Sequence, residues 1–129
     1  MSLAKKQIEF AFCVGELLQY IDGFRPVGAP TKRFGVTFGD AYRDSRVFGR
    51  FGKSLGTYSS KNSCHKLRLA VDLNLFSLDS SGNATYLTKS SDHAPFGEFW
   101  KTLSVHARWG GDFRRPDGNH YSWEHWGVA

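Results

Sequence analysis

The sequence has few cysteines, no long apolar run and no cluster of basic residues, and these absences argue against three classes of protein. Two cysteines, Cys13 and Cys64, do not make a disulfide scaffold, and Cys13 lies in an apolar stretch that predicts a buried thiol. No apolar run approaches the roughly 20 residues that span a membrane. The Lys and Arg residues are scattered, without the tracts typical of nucleic-acid binding.

The composition suits one small globular domain. The 129 residues leave little room for a second domain, so we expect a single domain over residues 1–129. Hydrophobic residues make up 40% of the chain and aromatic residues 16%, which is enough for a dense core. The net charge of +5 favours a polyanionic partner, and nucleic acid, an acidic membrane face and the bacterial wall all qualify.

The first residues lack the apolar core of a signal peptide. Two lysines are followed by apolar residues, but Glu9 and Glu16 interrupt that stretch. We therefore expect the protein to be made and kept in the cytoplasm unless another factor releases it.

The clearest predicted strand covers residues 67–76 (LRLAVDLNLF). Every second residue is apolar, whereas Asp72 and Asn74 lie on the other face. A turn signal at residues 80–83 predicts that residues 84–87 return as the second strand of a hairpin.

Other elements follow from helical spacing and from turn residues. A leading helix is predicted over residues 4–21, with one apolar face made of Ile8, Phe12, Leu17, Leu18 and Ile21. The remaining predictions are a strand or turn at 33–42, a short helix and then a loop at 44–62, a helix at 96–107, a loop at 108–117 and a strand at 119–123. Together they predict an α+β domain in which helices flank an antiparallel sheet.

His65 and Asp72 are the first candidate metal ligands. A carboxylate among apolar neighbours is costly unless it is solvated, paired or bound to a metal. At a spacing of seven, the two residues would face opposite ways on one regular strand, so they converge only if His65 precedes the strand or a bulge intervenes. A surface aspartate and a hydrogen-bonded structural histidine are the alternative explanation.

Asp117 and His120 form a second candidate pair behind a Trp-Gly-Gly-Asp turn. A zinc site needs imidazole or carboxylate ligands and an open position for water. A further carboxylate that is not a ligand can take the proton of that water. Because Asp117 precedes Gly118, an ordinary turn residue is the alternative.

Three segments resemble, in the right order, the LAS metallopeptidases, the group named for lysostaphin, the D-Ala-D-Ala peptidases and Sonic hedgehog. Residues 63–73 (SCHKLRLAVDL) resemble the signature Ser-x-His-x-x-Gly-x-Ala-x-Asp-Leu. Residues 109–121 resemble the Trp-Gly-Gly-Asp-Trp…Asp-x-x-His-Phe segment of phage L-alanyl-D-glutamate endopeptidases and their D-Ala-D-Ala carboxypeptidase relatives. Residues 41–43 (AYR) resemble a Gly-Tyr-Arg segment. The resemblance covers a motif-bearing core at about residues 41–123.

The resemblance implies a hedgehog-type zinc peptidase fold that holds one Zn²⁺ per chain. By this resemblance, His65, Asp72 and His120 are the zinc ligands, and Asp117 is the general acid/base. The implied activity is hydrolysis of peptide bonds in peptidoglycan stem peptides.

Four further residues have implied or open roles. Arg43 would stabilise charge that develops on the oxygen of the scissile carbonyl, with a structural salt bridge as the alternative. Ser63 would orient the loop that carries His65, and Trp109 would shape and support the site. Arg68 stands where the family has Gly, so it is expected either to crowd the site or to reach a substrate carboxylate.

The remaining histidines and Cys64 are not assigned to the site. His93 is expected in an exposed loop, His106 in the helix at 96–107 and His125 near the end, and none has a partner at motif spacing. Cys64 and His65 are adjacent, so on extended chain their side chains point apart and cannot act as a nucleophile–base pair.

The expected protein is a phage or prophage endolysin, either an L-alanyl-D-glutamate endopeptidase or a D-Ala-D-Ala carboxypeptidase. A monomer without a signal peptide would need a holin-type partner to reach the wall. The alternative is a zinc-containing domain of the same family that binds cell wall or a partner without cleavage, although Asp117 argues against it. A nucleic-acid module would bind DNA with steep salt dependence, and no recognition motif supports it.

Overall fold

The structure, a computed structural model, describes residues 1–56 and 60–129. Its elements in chain order are α1 (Leu3–Gly23), β1 (Arg33–Phe38), α2 (Ser45–Phe48), a 3-10 turn (Cys64–Leu67), β2 (Ala70–Leu78), β3 (Ala84–Leu87), a 3-10 turn (Ser90–His93), α3 (Ala94–Thr102), β4 (Ala107–Trp109), a 3-10 turn (Gly110–Asp112) and β5 (His120–Trp123). Helices combined with an antiparallel sheet confirm the predicted α+β class.

The central strand of the sheet is β2. It pairs antiparallel with β1 along one edge, while β5 pairs with the first part of the opposite edge and β3 with the last part. β4 then pairs with β5. Leu73 and Leu75 are fully buried and the intervening Asn74 is half-buried, as the alternating pattern predicts. The predicted hairpin return at residues 84–87 is confirmed as β3.

The core lies between the sheet and the two longer helices. Phe10 of α1 packs edge-on against Trp100 of α3, with ring centroids 5.6 Å apart, and against Trp123 of β5 at 6.4 Å. Tyr20 of α1 stacks on Phe99 of α3 at 3.9 Å. Aromatic side chains therefore join both helices to the sheet, because each ring contributes a large buried area. None of the described helices is long and apolar enough to cross a membrane.

The leading helix is present, but its predicted apolar face is partly wrong. Ile8 and Phe12 are 58% and 72% exposed, whereas Phe10 and Cys13 are buried with the correctly predicted Leu17 and Ile21. Many apolar positions on α1 allow more than one stripe at helical spacing, and packing against Trp100 selects the stripe that contains Phe10. Cys13 is a free, buried thiol, as predicted.

The largest differences between observed and predicted element boundaries lie around β2, α3 and β4. β2 begins at Ala70 rather than at residue 67, because Cys64–Leu67 form a 3-10 turn capped by Ser63. α3 ends at Thr102 rather than at residue 107, and the predicted loop at 108–117 contains most of β4. Three residues are too few to show a strand period, and it is pairing with β5 that makes this segment a strand.

The predicted exposure of His93 is also wrong. His93 is not exposed but 4% accessible, at the end of a 3-10 turn that leads into α3. The short helix predicted within residues 44–62 is α2, and residues 57–59 of the predicted loop lie outside the described residues.

The two phenylalanines of α1 provide a test of the helix orientation. Phe10→Ala should lower the free energy of unfolding by about 3–5 kcal/mol, because it leaves a cavity against two tryptophans. Phe12→Ala should change it by less than about 0.5 kcal/mol, because its ring is exposed. Urea denaturation of both variants measures the difference, and equal losses would contradict this orientation of α1.

Candidate metal centre

His65 lies in the 3-10 turn directly before β2. The Ser63 hydroxyl caps this turn by accepting the His65 backbone N–H at 3.3 Å. The His65 Nδ1 atom lies 3.4 Å from the Ala41 carbonyl oxygen, and its Nε2 atom lies 3.3 Å from Asp72 Oδ1. A backbone carbonyl on one imidazole nitrogen is the usual way to orient the other nitrogen toward a metal.

Asp72 and His120 are opposite residues of the antiparallel pair β2–β5. Directly opposite residues project to the same face of a sheet, so this register alone brings their side chains together. The His120 Nδ1 atom lies 3.4 Å from Asp72 Oδ1. One ligand atom from each of His65, Asp72 and His120 lies within 4.8 Å of the others. The odd spacing of His65 and Asp72 is resolved because His65 precedes the strand.

The chemistry of this cluster fits a metal ion. Asp72 Oδ1 and His120 Nε2 are buried and make no hydrogen bond within the described residues, although two imidazole nitrogens approach Asp72 Oδ1 to 3.3 and 3.4 Å without hydrogen-bond geometry. A buried carboxylate oxygen left without a donor is destabilising unless a cation or a proton neutralises it. Two imidazoles and one carboxylate with an oxygen to spare form a donor set of the kind that zinc prefers in catalytic sites.

The side chains around Asp72 favour the charged form of its carboxylate. Burial by itself raises the pKa, but the adjacent His120 and His65 side chains outweigh burial and lower the pKa well below its usual range. An ionised carboxylate is the form that binds a metal.

A short segment after β1 fixes both ligand-bearing elements. The Gly39 N–H donates to the Asp72 carbonyl and the Asp72 N–H donates to the Asp40 carbonyl, each at 2.8 Å. The Arg43 N–H donates to the His65 carbonyl at 3.1 Å. This segment therefore links the 3-10 turn to β2 through main-chain hydrogen bonds. The sequence did not predict this link, because main-chain groups carry no residue-specific signal.

The Arg43 side chain is mostly buried and makes structural contacts. Its Nε donates to Asp40 Oδ2 at 3.1 Å, and its Nη1 donates to the Ser63 hydroxyl at 3.1 Å. The salt bridge expected as the alternative role is thus present. Arg43 also lines the cavity that contains the metal cluster, so the charge-stabilising role stays a proposal.

Trp109 holds the turn that leads to His120. Its indole Nε1 donates to the Gly118 carbonyl at 2.8 Å. A Cβ atom at Gly111 would lie 2.2 Å from the Trp109 ring, and one at Gly110 would lie 2.1 Å from the Asp117 carbonyl oxygen. The Trp-Gly-Gly sequence is thus explained by packing, because only glycine leaves room for the indole and the returning loop.

The cluster of His65, Asp72 and His120 opens into a cavity of about 380 Å³. Asp117 is exposed and lines this cavity with these three candidate ligands and Phe113. The structure therefore brings together the two candidate pairs that were separate in the sequence. Asp117 lies beside the three candidate ligands but is not one of them. A carboxylate in this position can accept a proton from water that a bound metal activates.

The residues that were left out of the site remain outside it. Cys64 is fully buried, its thiol donates to the Val128 carbonyl, and burial raises its pKa to about 12, so it is not a nucleophile. His106 is half-buried in a turn rather than in a helix, and His125 is buried near Lys6. The metal-type cluster found within residues 1–56 and 60–129 includes none of these side chains.

A family model described as D-alanyl-D-alanine carboxypeptidase matches residues 57–123. This match covers more than half of the chain and contains the converging histidines, Asp72 and Asp117. The chain belongs to the D-alanyl-D-alanine carboxypeptidase family. It is therefore a member of a family of metallopeptidases. No curated protein matches it.

Arg68 differs from the glycine of the resembling signature in a way that the backbone explains. It ends the 3-10 turn in the left-handed conformation, with φ 54°. Glycine adopts this conformation at little cost, whereas a side chain with a Cβ is strained there. The Arg68 guanidinium is stacked over the Tyr42 ring at 3.8 Å. Arg68 is not among the residues that line the cavity at His65, Asp72 and His120, which argues against crowding, and contact with a substrate carboxylate stays a prediction.

Substitutions at Arg68 separate backbone strain from stacking. Arg68→Ala removes the stack and keeps the strain, so it should be about 1 kcal/mol less stable than Arg68→Gly, which removes both. Arg68→Gly should stay within about 1 kcal/mol of the original protein, because relief of strain offsets loss of the stack. Urea denaturation of the three proteins checks this order, and an alanine variant as stable as the glycine variant would contradict it.

Proposed function

We propose that this protein is a zinc-dependent peptidase that hydrolyses peptide bonds in peptidoglycan stem peptides. The observation that carries the proposal is that His65, Asp72 and His120 bring one possible ligand atom each to the same point, in a cavity that Asp117 also lines. The Asp72 Oδ1 atom there is buried and makes no hydrogen bond within the described residues. Membership of the D-alanyl-D-alanine carboxypeptidase family supports the substrate class.

The proposed roles follow from the positions of the side chains. His65, Asp72 and His120 would hold the zinc ion, which when bound supplies Lewis-acid activation of water and of the substrate carbonyl. Asp117 accepts a proton from the attacking water and delivers it to the leaving amine. Arg43, at the cavity wall, stabilises negative charge on the carbonyl oxygen as a positioned cation.

Support for Ser63 and Trp109 as positioning residues comes from their hydrogen bonds. The Ser63 hydroxyl contacts both the His65 N–H and the Arg43 guanidinium. Trp109 holds the Gly118 carbonyl, one residue after Asp117. Neither residue is proposed to touch the reacting atoms.

The proposed biological role is that of a phage or prophage endolysin that reaches the wall from the cytoplasm after release by a holin-type partner. The net charge of +5 supports binding to an anionic wall, because a basic surface attracts polyanions at moderate salt. The proposed functional unit is a monomer. Whether the bond cut is L-Ala-D-Glu or D-Ala-D-Ala is tested by mass spectrometry of products from defined muropeptides.

A second candidate function is a zinc-containing domain that binds cell wall without cutting it. The presence of Asp117 in the cavity favours cleavage over binding alone. Incubation of the purified protein with peptidoglycan distinguishes the two, because only cleavage releases new amino groups. Zinc-loaded protein that binds the wall but releases none would establish the binding function instead.

Metal content should depend on the ligands and not on Asp117. His65→Ala and His120→Ala should lose most of the bound zinc, since each removes one of three protein ligands. Asp117→Ala should keep the zinc content of the original protein. His106→Ala is the matched control, because it removes an imidazole outside the cluster. Elemental analysis after dialysis measures this, and full zinc content in both ligand variants would place the metal elsewhere.

Activity should depend on Asp117 even when the metal is bound. Asp117→Asn keeps the shape of the side chain but removes the proton acceptor, so kcat should fall by about 10²–10⁴-fold. Asp22→Asn removes an exposed carboxylate near the end of α1 and should leave kcat unchanged. Release of amino groups from defined muropeptides measures both variants. Full activity of Asp117→Asn would exclude the proposed acid/base role.

A further inference from the structure

A second cavity, of about 210 Å³, lies beside the metal cavity. It is lined by the end of β3 and the chain that follows it, and by residues 116–119 of the turn before β5. Asp117 is the residue that lines both cavities within the described part of the chain. The volume is below the roughly 300–1,000 Å³ of pockets for drug-sized ligands, so it suits a group about as large as one amino acid.

The buried His93 supplies a hydrogen-bond donor to this second cavity. Its Nδ1 atom lies 2.8 Å from the Tyr121 hydroxyl, and both side chains are buried. The Tyr121 O–H has no other acceptor within the described residues, so the hydroxyl donates and Nδ1 accepts. Burial lowers the pKa of His93 to about 4, which keeps the ring neutral near pH 7. The neutral ring then carries its proton on Nε2, which has no protein partner among the described residues.

Two neighbouring side chains of the same cavity can also donate. The Ser90 hydroxyl accepts the Gly118 N–H at 2.9 Å, which leaves its own proton available. The Lys89 side chain is exposed, lines the cavity and forms no ion pair within residues 1–56 and 60–129. The cavity thus combines one cation with two neutral donors, and Asp117 is the carboxylate in its wall.

We propose that the second cavity is the subsite for the residue that carries the leaving amine, and that Lys89, Ser90 and His93 bind its α-carboxylate. The inference rests on the proposed peptidase function. A carboxylate is the ligand class because a cation and neutral N–H and O–H donors together favour an anion.

The chemistry of the leaving group matches this arrangement of charges. Asp117 delivers a proton to the leaving amine, so the released residue begins next to Asp117 and extends into the second cavity. In both candidate bonds the residue that carries the leaving amine is a D-amino acid with a free α-carboxylate, since D-glutamate continues the stem peptide through its γ-carboxyl group. The amine of this residue would then lie beside the Asp117 carboxylate, and its α-carboxylate would lie beside the Lys89 ammonium group.

The test compares a stem-peptide substrate with the same peptide whose leaving residue carries an α-carboxamide. The original protein should cleave the free acid with kcat/KM at least about tenfold higher than the amide, because a charge-assisted hydrogen bond is lost in the amide. Lys89→Met should lower kcat/KM for the acid by about tenfold and change that for the amide by less than about twofold. Lys89→Arg should restore the preference for the acid. Equal cleavage of acid and amide by the original protein would overturn the subsite.

Control and binding measurements separate this proposal from the peptidase function. Lys5→Met removes one exposed positive charge from α1 and should keep the preference for the acid. If no peptide is cleaved, the peptidase function fails, and the subsite is then tested by NMR titration with D-alanine and D-glutamate. Saturable shifts at Ser90, Gly118 and His93 with these amino acids, and not with their α-amides, support the subsite. Absence of such shifts overturns it.

Discussion

The site depends on the register of one antiparallel strand pair. Because β2 and β5 pair with Asp72 opposite His120, a carboxylate and an imidazole share one face at neighbouring positions. A shift of one residue would move each side chain to the opposite face and separate them. The fold protects this register with contacts on both strands, since β1 pairs along the other edge of β2 and β4 along the other edge of β5. His65 joins from the turn before β2.

Backbone geometry explains why the motif residues surround the ligands. Glycines 110 and 111 leave room for the Trp109 indole and for the loop that carries Asp117. The turn before β2 has a steric constraint of its own, because Arg68 adopts a left-handed backbone conformation that favours glycine. The Arg68 guanidinium stacks on the Tyr42 ring. The site is therefore built from two turns whose shapes are set by steric limits rather than by the ligands themselves.

The sequence pattern predicted the structure correctly where residues close in sequence determine it. The alternation in β2 and the hairpin return follow from spacing, whereas the candidate ligand set was implied by the resemblance to the LAS metallopeptidases. The pattern failed where packing between distant segments decides the outcome. β4 is a strand because it pairs with β5, and His93 is buried because Tyr121 provides a hydrogen-bond partner 28 residues away. The contact of the Ala41 carbonyl with the His65 ring is likewise invisible without the fold, since any residue supplies a carbonyl.

The central claim is that one zinc ion lies among His65, Asp72 and His120. It is tested most directly by a crystal structure of protein purified without chelators, with diffraction data collected on both sides of the zinc absorption edge. We expect a single strong anomalous peak at about 2.0–2.2 Å from one nitrogen of each histidine and one oxygen of Asp72. A zinc peak bound by other residues, or well-ordered His65, Asp72 and His120 side chains without metal in zinc-supplemented crystals, would contradict this expectation.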